Sequence, residues 1–154
     1  VQVGDAVGGY QESKHCEPGT EVVVAKIPFG NIGLMVCYDL RFPELALTLR
    51  NKGANILTAP SAFTYTTCEM HWQLLLQARA MDSQCQVLGA AQQGWHGEKR
   101  QTWGHTAVTN SRGKVLASIE NEGAQLITVP FDIAEQQLIR NSMPLMNHRV
   151  LVEY

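Results

Sequence analysis

The chain has 154 residues, 45% of them hydrophobic and 17% charged, with a formal net charge of −2. This length suits one domain or a large part of one, and the composition is that of a globular protein able to bury a core. The charge offers no footprint for nucleic acid, and no apolar run approaches the roughly 18–20 residues of a membrane-spanning helix.

Residues 1–20 are Gly-rich and polar, with turn signals at Gly8-Gly9 and Pro18-Gly19, and read as an irregular loop. The chain starts at Val1 without a signal-like segment, so a removed or preceding portion is expected. Glu21 to Pro28 is rich in Val and Ile and predicts a strand. Phe29-Gly30-Asn31 predicts a tight turn, and Ile32 to Cys37 a second, almost wholly apolar strand covered on both faces. Phe42, Leu45, Ala46 and Leu49 then fall at i, i+3, i+4, i+7, one face of a helix that Lys52-Gly53 ends. Asn55 to Ala59 reads as a third strand, stopped by Pro60.

A second helix is expected from about Glu69 to Gln84, with Trp72, Leu75, Leu76 and Ala80 on its apolar face. Arg79 shares that face and needs a buried partner, for which Asp39 is a candidate. Gln86 to Ala91 predicts a strand, and Gly94 to Arg100 a polar loop. Thr102 to Thr109 and Lys114 to Ile119 flank a hairpin-like turn at Asn110-Ser111-Arg112-Gly113. Gln125 to Val129 reads as a last strand, and Asp132 as the N-cap of a helix to about Asn141. The alternation of strands and helices argues for an α/β layered domain.

Four cysteines stand at positions 16, 37, 68 and 85, none in a Cys-x-x-Cys pair, so neither a zinc cluster nor a disulfide framework is expected. Cys37 closes an apolar strand and precedes a turn into a helix, the arrangement of a nucleophile elbow. Such a turn lifts the thiol off the sheet and lets the Tyr38 N–H act as an oxyanion donor, while the positive end of the following helix favours the thiolate. Strand position alone favours the blander reading, a cysteine buried for packing. His71, His96 and His105 have no ligand spacing and read as packed or surface histidines, though a Cys–His hydrolase would need just one of them. Glu44 suits the N-terminus of the first helix.

The segment Cys37-Tyr38-Asp39-Leu40-Arg41-Phe42-Pro43-Glu44 resembles the nucleophile motif of the amidase-like branch of the nitrilase superfamily. Tyr10-Gln11-Glu12-Ser13 and Pro18-Gly19 resemble the loop before that motif. Downstream, Ala59-Pro60-Ser61-Ala62-Phe63, His71-Trp72, Ala78-Arg79-Ala80, Ala90-Ala91-Gln92, Trp103-Gly104-His105 and Asn147-His148-Arg149 follow in the family's order. The resemblance implies an α/β fold, a four-layer α-β-β-α sandwich, of which residues 1–154 are the second half and C-terminal tail of a single carbon–nitrogen hydrolase domain.

The resemblance also implies chemistry. The family uses a Glu–Lys–Cys triad, often with a second glutamate. Cys37 corresponds to the nucleophile that forms a thioester, Glu12 to the second glutamate, and Tyr38 to the oxyanion donor through its backbone N–H. Arg41, Ser61, Phe63, Lys99 and Arg100 are the candidate substrate-binding residues. Lys14 and Lys26 fit no triad context, so the lysine and the general-base glutamate are expected upstream of Val1, and the segment alone is expected to be inactive. The run Glu98-Lys99-Arg100 followed by Trp103-Gly104-His105 is similar to the deaminated glutathione amidases, implying a small anionic amide substrate that Lys99 and Arg100 could bind. The same two cations could be a solvated loop pair. An omega-amidase acting on 2-oxoglutaramate and a truncated, non-catalytic homologue are the alternatives. No cofactor or metal is implied, and a cytoplasmic homodimer or larger homo-oligomer is expected.

Overall fold

The computed structural model describes residues 2–3, 10–98, 100–120 and 123–150, with residues 2, 3, 10–12 and 67 described by backbone alone. Within the expected opening loop it forms a short antiparallel pair, β1 (Gln2–Val3) and β2 (Tyr10–Gln11), followed by a 3-10 turn at Glu12–Lys14. The Val/Ile-rich run then gives β3 (Val24–Ile27), which pairs antiparallel with β4 (Gly30–Leu34) across a turn at Pro28 and Phe29. Helix α1 (Pro43–Asn51) leads to β5 (Ile56–Thr58), and α2 (Tyr65–Ser83) to β6 (Gln86–Gly89). β7 (Gln93–His96) and β8 (Arg100–Trp103) form a separate hairpin. β9 (Ala107–Thr109), β10 (Val115–Ser118) and α3 (Ile133–Ser142) complete the order.

The main sheet has six strands in the order β10-β9-β6-β5-β4-β3, with β4, β5 and β6 parallel at its centre. Parallel neighbours require crossovers, and α1 and α2 supply them. Register puts Gly33, Leu57 and Val87 in one row facing the helices. Two glycines on that face set the approach distance. A Cβ at Gly33 would lie 2.8 Å from Leu57 Cδ2 and 3.0 Å from Leu49 Cβ, and one at Gly89 would lie 2.8 Å from both Trp72 Cζ2 and Leu76 Cδ2. The core between sheet and helices joins Met35, Leu49, Leu57, Trp72, Leu76 and Val87. The opposite face is apolar but less covered: Ile56 and Val108 are buried, whereas Leu34 is 47% exposed. The described residues therefore show one sheet layer and one helix layer.

Helix α3 fastens the amino ends of the parallel strands. Gln136 Nε2 donates to Asn55 O at 2.8 Å and to Ser111 Oγ at 2.9 Å, and its Oε1 accepts from Asn55 Nδ2 at 3.1 Å. Arg140 donates to the carbonyls of Gln84 and Ala54 at 3.1–3.2 Å. Asp132 is the N-cap expected from sequence, with Oδ1 accepting from Ala134 N at 2.8 Å and Glu135 N at 3.0 Å. Asp132→Ala should cost about 1 kcal/mol in a denaturant titration; a loss under a few tenths would mean that α3 is held by its side-chain contacts alone.

Several sequence expectations change. Of the expected loop Gly94 to Arg100, residues 94–96 and Arg100 lie in the strands of the β7–β8 hairpin, because Trp95 pairs with Gln101 and His96 with Arg100 in a regular ladder despite the polar side chains; residues 97 and 98 are a turn. Gln125 to Val129 forms no strand; it joins neither edge of the sheet, and Leu126 is 89% exposed. Composition favoured a strand there, but a strand forms only where a neighbouring strand pairs with it, and among the described residues this segment pairs with none. Helix α2 starts at Tyr65, four residues before the expected Glu69. Phe42 precedes α1 and is exposed, so the apolar face of that helix consists of Ala46, Leu47 and Leu49, with Leu45 partly buried. Arg79 is buried with its Nη2 3.3 Å from Asp82 Oδ2, one turn along its own helix, and not with Asp39.

Candidate active site

The carboxyl ends of β4, β5 and β6 converge on Cys37, the edge at which parallel α/β sheets commonly bind ligands. Beyond β4 the chain stays extended: Met35 N donates to Thr58 O at 3.0 Å and Cys37 N to Pro60 O at 2.9 Å, continuing the parallel ladder. Val36 still has φ −132° and ψ 122°, but Cys37 turns to φ +47° and begins a 3-10 turn, Cys37–Arg41. That left-handed conformation costs a side-chain-bearing residue roughly 1–2 kcal/mol. Asp39 stabilises the reversal, its Oδ2 accepting from Val36 N at 2.9 Å. The strand, turn and helix expected from sequence are thus present, with the 3-10 turn between cysteine and helix. The α-helix starts at Pro43, so its dipole begins six residues past the thiol and is too distant to be the main support of a thiolate. Glu44 does lie in its first turn.

The four cysteines, all thiols, occupy unlike environments. Cys16 is exposed on an irregular segment, Cys68 and Cys85 are buried, and Cys37 is half-buried at the elbow. Burial, reinforced by the neighbouring Cys37 and opposed by Arg41, pushes the Cys68 thiol up to about 12, so it stays protonated. Burial also raises Cys85, whose Sγ donates to Ala54 O at 3.3 Å. Both buried thiols behave as small hydrophobes.

Arg41, at the end of the 3-10 turn, is half-buried. Its guanidinium carbon lies 5.3 Å from the Tyr38 ring centroid and 5.6 Å from that of Phe63. Both of its Nη atoms lie 3.4 Å from His71 Nδ1. Phe63 is 9% exposed and meets Trp72 edge-on with centroids 5.6 Å apart. Ser61 is also buried, bridged in parallel to Ala91, with its hydroxyl donating to Ala59 O at 3.0 Å; its proton holds the strand end. Arg100 is exposed but reaches the same segment, Nη2 donating to Ala62 O at 2.8 Å between Ser61 and Phe63. The fold therefore gathers Cys37, Arg41, Ser61, Phe63 and Arg100 about one edge of the sheet. Lys99 and the side chain of Glu12 lie outside the described residues; the Glu12 backbone opens the first 3-10 turn.

The sequence brought forward Trp72 and the Trp103-Gly104-His105 motif separately, but not their meeting in one aromatic floor. Trp72 Nε1 donates to His105 O at 2.7 Å, Trp103 stacks on the His105 ring at 4.1 Å, and Tyr65 meets Trp103 edge-on at 4.7 Å. His105 itself sits at φ +61°. Its neighbour Gly104 was the available signal, since a Gly-His pair between strands permits an abrupt reversal. Among the described residues no group of three or more His, Cys, Asp or Glu side chains could hold a metal ion, and no helix is long and apolar enough to cross a membrane.

The model of the carbon–nitrogen hydrolase family matches residues 5–141. A deaminated glutathione amidase of Yersinia enterocolitica is 43% identical over 152 residues, 99% of this chain and 53% of its own length. The chain thus spans about half the length of that relative. Among solved structures, the Caenorhabditis elegans NitFhit protein superposes with a TM-score of 0.87 at 37% identity, over 97% of this chain and 37% of that one. Saccharomyces cerevisiae Nit3, described as a member of branch 10 of the nitrilase superfamily, gives 0.83 at 34% identity, over 91% and 51%.

Proposed function

The chain belongs to the carbon–nitrogen hydrolase family and has the nitrilase-type α/β fold, and from that premise we propose that it carries the nucleophile and part of the substrate site of a thiol amidase. The observation that carries this reading is the Cys37 elbow, a non-glycine residue at φ +47° at the carboxyl edge of three parallel strands. Strain of this kind persists where the surroundings over-determine it, and it collects at catalytic positions.

In the proposed reaction the Cys37 thiolate attacks the amide carbonyl carbon, and the Tyr38 N–H receives the developing oxyanion. The tetrahedral species collapses, the amine leaves with a proton, and a thioester remains on Cys37. Water then attacks the thioester, releasing the carboxylic acid and restoring the thiol. Glu12 is assigned to positioning that water or the catalytic lysine. The lysine and the general-base glutamate are assigned to residues before Val1, in the half of the hydrolase domain that would also lay a second sheet on the face bearing Leu34 and complete the four-layer sandwich. The likeness to deaminated glutathione amidases favours deaminated glutathione as substrate, with Arg41, Arg100 and Lys99 receiving its carboxylates and Ser61 and Phe63 walling the site. Exposed Met70, Leu74 and Met81 on one side of α2 favour a homodimer or larger assembly, and the thiol-form cysteines suit a reducing cytoplasm.

The test is hydrolysis of deaminated glutathione and 2-oxoglutaramate by the complete polypeptide and by residues 1–154 alone. The complete polypeptide should prefer deaminated glutathione, and the 154-residue chain should lie at least about a thousandfold lower, because separated triad members do not act as a unit. Preference for 2-oxoglutaramate would assign an omega-amidase instead. Hydrolysis of neither by the complete polypeptide would assign a non-catalytic homologue.

A further inference from the structure

Among the described residues, no carboxylate forms an ion pair with Arg41; the one ion pair joins Arg79 to Asp82. Arg41 instead lies within cation–π range of Tyr38 and Phe63 and presents both Nη atoms to His71 Nδ1. Three elements make this cradle: the 3-10 turn brings Tyr38 and Arg41, the segment after β5 brings Phe63, and α2 brings His71. Two turns of geometry follow from the donor inventory. A guanidinium carries donors and no acceptor, so in this contact the Nη atoms donate and the His71 Nδ1 accepts. Because Nδ1 is equidistant from the two Nη atoms, at 3.4 Å from each, it occupies the end of the fork and leaves the Nε–H edge for another acceptor. That edge can take a carboxylate through two parallel hydrogen bonds.

We propose that His71 is a positioning residue of the substrate site, fixing the Arg41 guanidinium end-on so that its Nε edge is offered to a carboxylate of the amide substrate. The inference rests on the reading of Arg41 as a substrate-binding residue and adds to it the group that orients the fork. Rotation of a long side chain about its own bonds is what the contact prevents; pre-orientation saves the ordering entropy otherwise lost on binding.

The experiment compares glutaramate, an amide bearing a carboxylate, with its uncharged counterpart pentanamide, using the complete polypeptide. The wild type should favour glutaramate. In His71→Leu the ratio of kcat/KM for glutaramate over pentanamide should fall about tenfold, the size of a hydrogen bond to a charged group, with the loss in the glutaramate KM. His71→Asn offers an amide oxygen near the Nδ1 position and should recover most of the ratio, which a merely structural role would not predict. An unchanged ratio in His71→Leu, or an equal fall for both substrates, overturns the positioning role of His71 while leaving Arg41 in place. A wild type indifferent to the carboxylate, or a preference that survives Arg41→Gln, overturns the reading of Arg41 on which the inference rests.

Discussion

Cys37→Ala is expected to lower amide hydrolysis by the complete polypeptide at least about ten-thousandfold, leaving substrate binding and fold intact. The size follows from the proposed role: if Cys37 is the nucleophile, no thioester can form without its sulfur, and the groups left would act on an unactivated water. The backbone provides a second, independent readout. Cys37 sits at φ +47°, where any Cβ is strained, so alanine keeps the strain and glycine relieves it. Cys37→Gly should be as inactive as the alanine variant yet more stable by about 1 kcal/mol. Retention of more than about one per cent of wild-type turnover in either variant would remove Cys37 from the chemistry. Equal stability of the two would mean that the elbow stores no strain.

The elbow also shows what the sequence could and could not convey. Its position was legible because an apolar run, a cysteine, a polar turn and a helical repeat follow one another, and the helical face of Ala46 and Leu49 continued the pattern. The sign of φ at Cys37 was not legible, since no glycine marks it. The central strands and α2 were equally readable: Leu57, Val87, Trp72 and Leu76 are buried on the faces their spacing assigns. The β7–β8 hairpin escaped because Gly94, His96 and Arg100 give no apolar strand signal, and they are held there by ladder bonds and by a bridge from Thr64 to Thr102. Gln125 to Val129 misled for the converse reason, a strand-like composition that pairs with no strand among the described residues.

The site divides along the same line. Cys37, Tyr38 and Arg41 are neighbours in sequence, and motif reading brought them forward together. Their packing against Phe63 and His71 depends on two crossovers that return the chain to the same sheet edge, and no local pattern encodes that meeting. His71 read as an ordinary histidine because its contact with Arg41 spans thirty positions.

Trp72→Ala is the structural counterpart of the cysteine variant and should destabilise the fold by about 3–5 kcal/mol, measured by the shift in urea midpoint. Trp72 is 1% exposed and joins three parts of the site. Its ring meets Phe63 edge-on at 5.6 Å, its Nε1–H donates to His105 O at 2.7 Å, and its Cζ2 packs over Gly89. Truncation therefore leaves a cavity under the helix-facing side of β6, and it strips the donor from a residue already at φ +61°. Phe63 loses its backing too, and with it one wall of the Arg41 cradle. Trp72→Phe separates these effects, because the smaller ring still reaches Phe63 but cannot donate to His105; it should cost about 1–3 kcal/mol, the range for an orphaned buried acceptor. If the alanine variant lost less than about 1 kcal/mol, the ring could not be the floor of the site. If the phenylalanine variant lost as much as alanine, the hydrogen bond to His105, not ring packing, would be what holds the hairpin against the elbow.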